Sequence, residues 1–241
     1  MRLEDILFSQ GFGTRRVCAG LIQQGHVQVH GHTAVYAGEF FDLEGLRFNV
    51  QGEEWPFAAQ AYLMLNKPAG TECSQKPSTW PSIYTLLPSA LRLRPQKAAV
   101  QGVQAVGRLD QDTTGLLLLT DDGKFIHRMS SPKHHMPKVY EVTTKHPLDA
   151  SQIERLVAGV VLDDDPKPVA AHAAVQTGTH TLTLTLTQGK YHQVKRMLAA
   201  VSNRVEGLHR SQIGSLTLAD LPEGAWRWLT PDEVKQVSAK T

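Results

Sequence analysis

Residues 179–187 read Thr-His-Thr-Leu-Thr-Leu-Thr-Leu-Thr, and this alternation is the tightest constraint on the fold. A period of two puts the leucines on one side of an extended strand and the threonines on the other. The segment therefore predicts a half-buried strand in a sheet with one covered face. Residues 62–66 (Tyr-Leu-Met-Leu-Asn) also read as a strand. Helices supply the cover. Val194, Met197, Leu198 and Val201 recur at three- and four-residue spacing and predict a helix over 191–201, and residues 153–160 read as a second helix. Mixed signals without an internal repeat predict an α+β protein on a mixed, largely antiparallel sheet.

The 241 residues suffice for one large or two smaller domains, and 41% hydrophobic with 20% charged residues is the balance of a globular chain. No apolar run has the length of a membrane span. The start, Met1-Arg2-Leu3-Glu4-Asp5, lacks the basic and apolar regions of a signal peptide, so we expect a cytoplasmic protein with no membrane partner. Cys18 and Cys73 have no metal-ligand spacing and are expected as reduced thiols.

The first fifty residues predict a small α+β module. Leu3, Ile6 and Leu7 have helical spacing, Thr14 is a natural N-cap for a second helix through Gln24, and Gly25 stops it. Val27 and Val29 alternate with polar residues, as do Leu46, Phe48 and Val50. Residues 51–60, polar and proline-containing, read as a linker. This puts one domain at 1–57 and a second at 61–238. Arg2-Leu3, Thr14-Arg15-Arg16 and Gly-His-Val-Gln-Val-His-Gly (25–31) resemble the S4 RNA-binding module. The resemblance implies that the second helix and the following strand face RNA backbone, with Arg2, Arg15 and Arg16 as the main contacts. Arginines at a helix N-terminus suit phosphate, because orphan N–H groups lie beside them. The module departs from its relatives in being acidic: residues 1–60 carry four Lys/Arg against seven Asp/Glu. Its hold on RNA is expected to be modest.

Charge is uneven along the rest of the chain. The net is +2, yet residues 61–241 carry 21 basic against 16 acidic side chains. Within 123–145, five basic residues and three histidines accompany a single acid, Glu141. Lys133, His134, His135 and Lys138 form a basic strip suited to a polyanion. The histidines have no partner at metal-ligand spacing, and no metal is expected.

The run Gly-Arg-Leu-Asp-Gln-Asp-Thr-Thr-Gly-Leu-Leu-Leu-Leu-Thr-Asp-Asp-Gly (107–123) places Asp110 in a polar turn directly before an apolar strand. Such a turn holds a carboxylate rigidly while leaving one side open, as a nucleophile or acid/base requires. Taken alone, it also reads as an Asx-turn at a loop end.

Four segments in order carry a second resemblance. Met-Leu-Asn-Lys-Pro-Ala-Gly (64–70), the Asp110 run, residues 127–142 ending in Lys-Val-Tyr-Glu-Val, and Leu-Thr-Gln-Gly-Lys-Tyr-His-Gln-Val-Lys-Arg-Met-Leu (186–198) are similar to the RsuA-type pseudouridine synthases. The resemblance covers nearly the whole chain. It implies a catalytic domain that turns uridine into pseudouridine in ribosomal RNA. Tyr191-His192 leans towards 16S, the small-subunit branch, because large-subunit branches usually have Asn-Arg there. It further implies Asp110 as the catalytic aspartate, Tyr140 as the ring stacked on uracil, and Lys195, with Arg196 as runner-up, as the cation that keeps Asp110 charged. Arg108 is expected to fill the space that the flipped base leaves, or to contact phosphate. Lys67 is expected in the wall of the RNA site. The isomerisation is neither redox chemistry nor phosphate transfer, so neither cofactor nor metal is expected, and the enzyme is expected to act as a monomer.

Two rivals remain at this point. Asp110-Gln-Asp112-Thr113 fits the DxDxT loop of Mg²⁺-dependent phosphatases, although the buried strand follows the loop here instead of preceding it. A non-catalytic rRNA assembly factor would also use an S4-like module and a basic strip, but it would not need Asp110, Tyr140 and Lys195 together.

Overall fold

In the computed structural model, which describes residues 1–96, 101–131, 136–163 and 165–239, the alternating segment forms the strand Thr181–Leu186. Leu182, Leu184 and Leu186 are buried and the three threonines half-exposed, as the period of two requires. Among the described residues the strand belongs to a nine-stranded sheet. Its main path runs Ala173–Gly178, Thr181–Leu186, Lys138–Thr144, Val205–Ile213, Thr114–Thr120, Tyr62–Lys67 and Trp226–Trp228. Lys138–Thr144 pairs antiparallel with both of its neighbours, whereas Thr114–Thr120 lies parallel to Val205–Ile213. The sheet is mixed and mostly antiparallel.

Leu116–Leu119 sits mid-sheet and is covered on both faces, which is why this strand reads as a continuous apolar run. Gly115 permits the parallel step: its φ is +108°, and a Cβ there would stand 2.3 Å from the carbonyl oxygen of Arg210. The helix Gln193–Ala200 packs Val194, Met197 and Leu198 against Tyr140, Val142 and Leu184. A second core joins Leu116 and Leu118 to Phe125 and Met129 of the helix Gly123–Ser130.

The predicted helix over 153–160 lies instead at Ala150–Ala158. Asp149 and Gln152 form a capping box at its start, and Gly159 turns the chain with φ +114° into the strand Val160–Leu162. The predicted 191–201 helix begins only at Gln193, because His192 adopts a left-handed φ of +48°.

The chain divides into two compact units. One contains Met1–Ala61, Leu87–Gln104 and Thr120–Asp122; the other contains Tyr62–Leu86, Ala105–Leu119 and Gly123–Thr241. In the first unit the helices Leu3–Ser9 and Arg15–Gln23 accompany a four-stranded antiparallel sheet ordered His32–Thr33, Val27–Val29, Arg47–Val50 and Glu53–Pro56. Thr14 caps the second helix through the amide of Val17, and Gly25 follows its end with φ +73°.

The linker reading of 51–60 is corrected. Residues 53–56 are a strand, joined to Arg47–Val50 by a Gln51-Gly52 turn in which both φ angles are positive, the hairpin geometry that suits twisted strands. Trp55 is buried edge-on to Phe12 with ring centroids 5.2 Å apart, and that burial draws the polar stretch into the sheet.

Candidate active site

The loop 107–113 is held from beneath by Lys67. This lysine ends the strand Tyr62–Lys67 and is fully buried. Its Nζ donates to the carbonyl oxygens of Pro68 at 3.0 Å, Gln111 at 3.4 Å and Thr113 at 2.9 Å. Burial pushes its ammonium below the ordinary lysine value. Gly70 N–H donates to Gln111 O at 2.8 Å, and Thr113 N–H closes the turn onto Asp110 O at 3.1 Å. Lys67 thus shapes the wall of the site by holding the aspartate loop; the expectation that it also touches RNA is corrected, because it has no exposed surface.

Asp110 emerges from this turn with its side chain 29% exposed. Lys195 Nζ lies 3.1 Å from its Oδ2, and His192 Nε2 lies 3.3 Å from its Oδ1. Both partners come from one stretch, because the left-handed turn at His192 brings that ring and the first helical turn to the same carboxylate. Lys195 also donates to Asp112 Oδ1 at 2.7 Å and Oδ2 at 3.0 Å. Burial lowers the Lys195 pKa, but its hydrogen bonds to Asp112 and Asp110 outweigh this and leave it raised. Burial likewise pushes Asp112 up, and pairing with Lys195 brings it below the usual carboxylate range. One ammonium thus serves two carboxylates in a partly desolvated setting, where Coulomb attraction exceeds that in bulk water.

Tyr140, 9% exposed, lines the same pocket as Asp110, Arg108, His192, Lys195 and Leu208. The pocket holds about 70 Å³. Arg108 is exposed at its edge and makes no hydrogen bond or ion pair among the described residues. Arg196 points elsewhere: its Nη1 donates to Tyr191 O at 3.1 Å. Lys138 is half-buried, with Nζ donating to Met136 O at 3.0 Å. Lys133, His134 and His135 lie outside the described residues.

In the first unit, Arg2 pairs with Glu4 at 3.2 Å and Asp5 at 3.0 Å, and Arg15 pairs with Asp5 at 3.0 Å. Arg16 is exposed and makes no ion pair among the described residues. The acids that make this module negative thus neutralise two of its three expected RNA contacts.

Sequence reasoning missed His192 and Asp112 as site residues. The signal for Asp112 was its two-residue offset from Asp110. His192 gave none, since a left-handed histidine at a helix start is a tertiary feature. The ring of Tyr191 stacks on it, centroids 3.8 Å apart, and stays largely exposed. Among the described residues no group of three or more His, Cys, Asp or Glu is placed to hold a metal.

The chain matches the family described as RNA pseudouridylate synthase over residues 61–200 and the S4 domain over residues 1–34. It is 37% identical to the ribosomal small subunit pseudouridine synthase A of Pasteurella multocida, over 97% of this chain and 98% of that one. The protein of the same name from Escherichia coli K12 is also 37% identical, over 98% and 100% of the two chains. A crystal structure described as pseudouridylate synthase superposes with a TM-score of 0.67 at 34% identity, covering 98% of this chain and 99% of that chain. With Asp110, Lys195 and Tyr140 gathered in one pocket of a domain of this fold, the chain belongs to the RNA pseudouridylate synthase family.

Proposed function

We propose that this protein isomerises a uridine of 16S, small-subunit, ribosomal RNA to pseudouridine, with Asp110 as nucleophile. The observation that carries the reading is the Asp110–Lys195 pair, 3.1 Å apart, in a pocket walled by Tyr140. The target is supported by similarity to small-subunit enzymes over nearly the full length of both chains.

The reaction breaks the bond from C1′ to N1, turns the uracil over and joins C1′ to C5. The base gains a proton at N1 and loses one at C5, with no net redox change. Asp110 attacks C1′ as uracil leaves. Lys195 keeps the carboxylate ionised as RNA displaces water from the pocket. Tyr140 offers its ring face to uracil, with its hydroxyl near C5 to relay the proton. Arg108, exposed at the pocket edge, takes the space vacated by the flipped base. Asp112 and His192 hold Lys195 and Asp110 in position. The S4-like module, chiefly through Arg16, adds backbone contact.

The test is Asp110→Asn in the full-length protein on a small-subunit rRNA transcript, read by tritium release from C5. Removing the carboxylate charge while keeping its shape is expected to cost at least roughly 4 kcal/mol of transition-state stabilisation, about a thousandfold in rate, with RNA affinity nearly intact. Turnover within tenfold of wild type overturns the assignment. Wild-type activity on large-subunit rRNA alone overturns the choice of substrate.

A further inference from the structure

Past the Asp110 pocket, the same sheet face continues into a second cavity of about 350 Å³, whose lining includes Arg108, Ser130, Lys138, Tyr140, Lys190 and Arg210. No Asp or Glu lines it among the described residues. Lys138 and Tyr140 stand two residues apart on one strand, and Arg210 is the cross-strand neighbour of Tyr140, so the three side chains share a face. Arg210 is 3% exposed. Its Nε donates to Leu116 O at 2.8 Å, while its Nη2 is buried without a hydrogen-bond partner among the described residues. Burial, then the charge of Arg210, pushes the Lys138 ammonium down to about 8. Lys138 and Arg210 thus share, with Arg108 and Lys190, a cavity with no lining carboxylate among the described residues. Such an arrangement is unfavourable until an anion completes it.

We propose that Lys138 and Arg210 form an anion subsite that takes a backbone phosphate of the RNA, beside the nucleotide held at Asp110. The inference rests on the reading of the chain as an RNA-modifying enzyme, and adds to it a built site and a buried arginine. Uracil is neutral before reaction, whereas a phosphodiester is always charged and matches both a guanidinium fork and an ammonium. Tyr140 and Arg108 line both cavities, so a nucleotide with its base on Tyr140 lies next to Arg210. This also gives Lys138, expected from sequence as one of a surface strip, a specific partner.

The test uses full-length protein and a small-subunit rRNA fragment, with Kd measured across a potassium chloride series. Lys138→Gln, at a half-buried position, is expected to weaken binding about tenfold at low salt. It is also expected to flatten the slope of log K against log salt by about 0.7 to 1, the mark of one lost phosphate contact. Arg210→Lys keeps the charge but loses the fork, so binding weakens several-fold with the slope preserved. Inorganic phosphate is expected to displace RNA from wild type at lower concentration than from Lys138→Gln. Thermal unfolding checks both variants; if Arg210→Lys does not fold, the Lys138→Gln slope decides. An unchanged slope in Lys138→Gln overturns the subsite. An unchanged slope accompanied by release of free uracil overturns it in favour of a chamber for the detached base. Repeating the titrations in Asp110→Asn separates the two readings, because failure of the catalytic assignment leaves these binding results standing.

Discussion

At the scale of single residues, Lys195 carries the electrostatics of the site, because its one ammonium touches both Asp110 and Asp112. Replacing it with methionine removes the nearest positive charge and leaves two carboxylates facing each other. The acid limb of the pH–rate profile is then expected to move upward, because the carboxylate loses the cation that favours its charged form. Arg196→Met is expected to leave that limb in place, since its guanidinium bonds Tyr191 O instead. A profile unmoved by Lys195→Met sinks the ion-pair role. The choice between the two was partly legible in the sequence. A helix separates consecutive side chains by about 100°, so only one of Lys195 and Arg196 could face Asp110 well. That Lys195 would also hold Asp112 was not legible, because it depends on where a loop 83 residues away in sequence comes to lie.

At the scale of elements, the strands and helices with clear periods were legible: the Thr/Leu strand, the Leu116–Leu119 run and the amphipathic helix after His192 all formed. Residues 51–60 were misread for a physical reason. Their largest apolar group, Trp55, finds its partner in Phe12 far away in sequence, so local polarity outweighed it in the reading. The loop 72–80 was likewise silent in sequence. In the structure, Glu72 gathers the amides of Ser78, Thr79 and Trp80 at 2.9–3.0 Å, and these hold its carboxyl at about 2. Its folded-state pKa lies below its unfolded value of 4.5. The stabilisation is therefore full above the unfolded value and is lost as pH falls from about 4.5 towards 2. Glu72→Gln is expected to flatten the acid side of the stability curve in that window while leaving it nearly unchanged in slope at neutral pH. Denaturant titrations at several acid pH values check this, and a slope equal to wild type refutes the assignment.

At the scale of the whole molecule, the first unit is closed by residues remote in sequence. Arg94 is 2% exposed; it pairs with Asp121 at 2.6 Å and donates to Gln10 Oε1 and Ala58 O at 2.7 Å each. Asp121 in turn accepts from Ala61 N–H at 2.7 Å. Arg94→Met leaves Asp121 buried without its cation and is expected to destabilise the fold by about 3 to 5 kcal/mol, measured by denaturant unfolding. A loss below about 1 kcal/mol would mean that solvent reaches the pair. Removing residues 1–57 takes Gln10 from this cluster, so point variants such as Arg16→Glu are the cleaner probe of the module's part in RNA binding. The same arrangement sets an order of events during synthesis. The N-terminal segment emerges first but cannot complete its interior until Asp121 has left the ribosome. At about 5 to 20 residues per second that delay is roughly 3 to 12 s after residue 61 appears. Until Arg94 emerges the nascent chain carries Gln10 without the arginine it will bond, and Arg94 then waits for Asp121, so the part made first is finished only after half of the chain has been made.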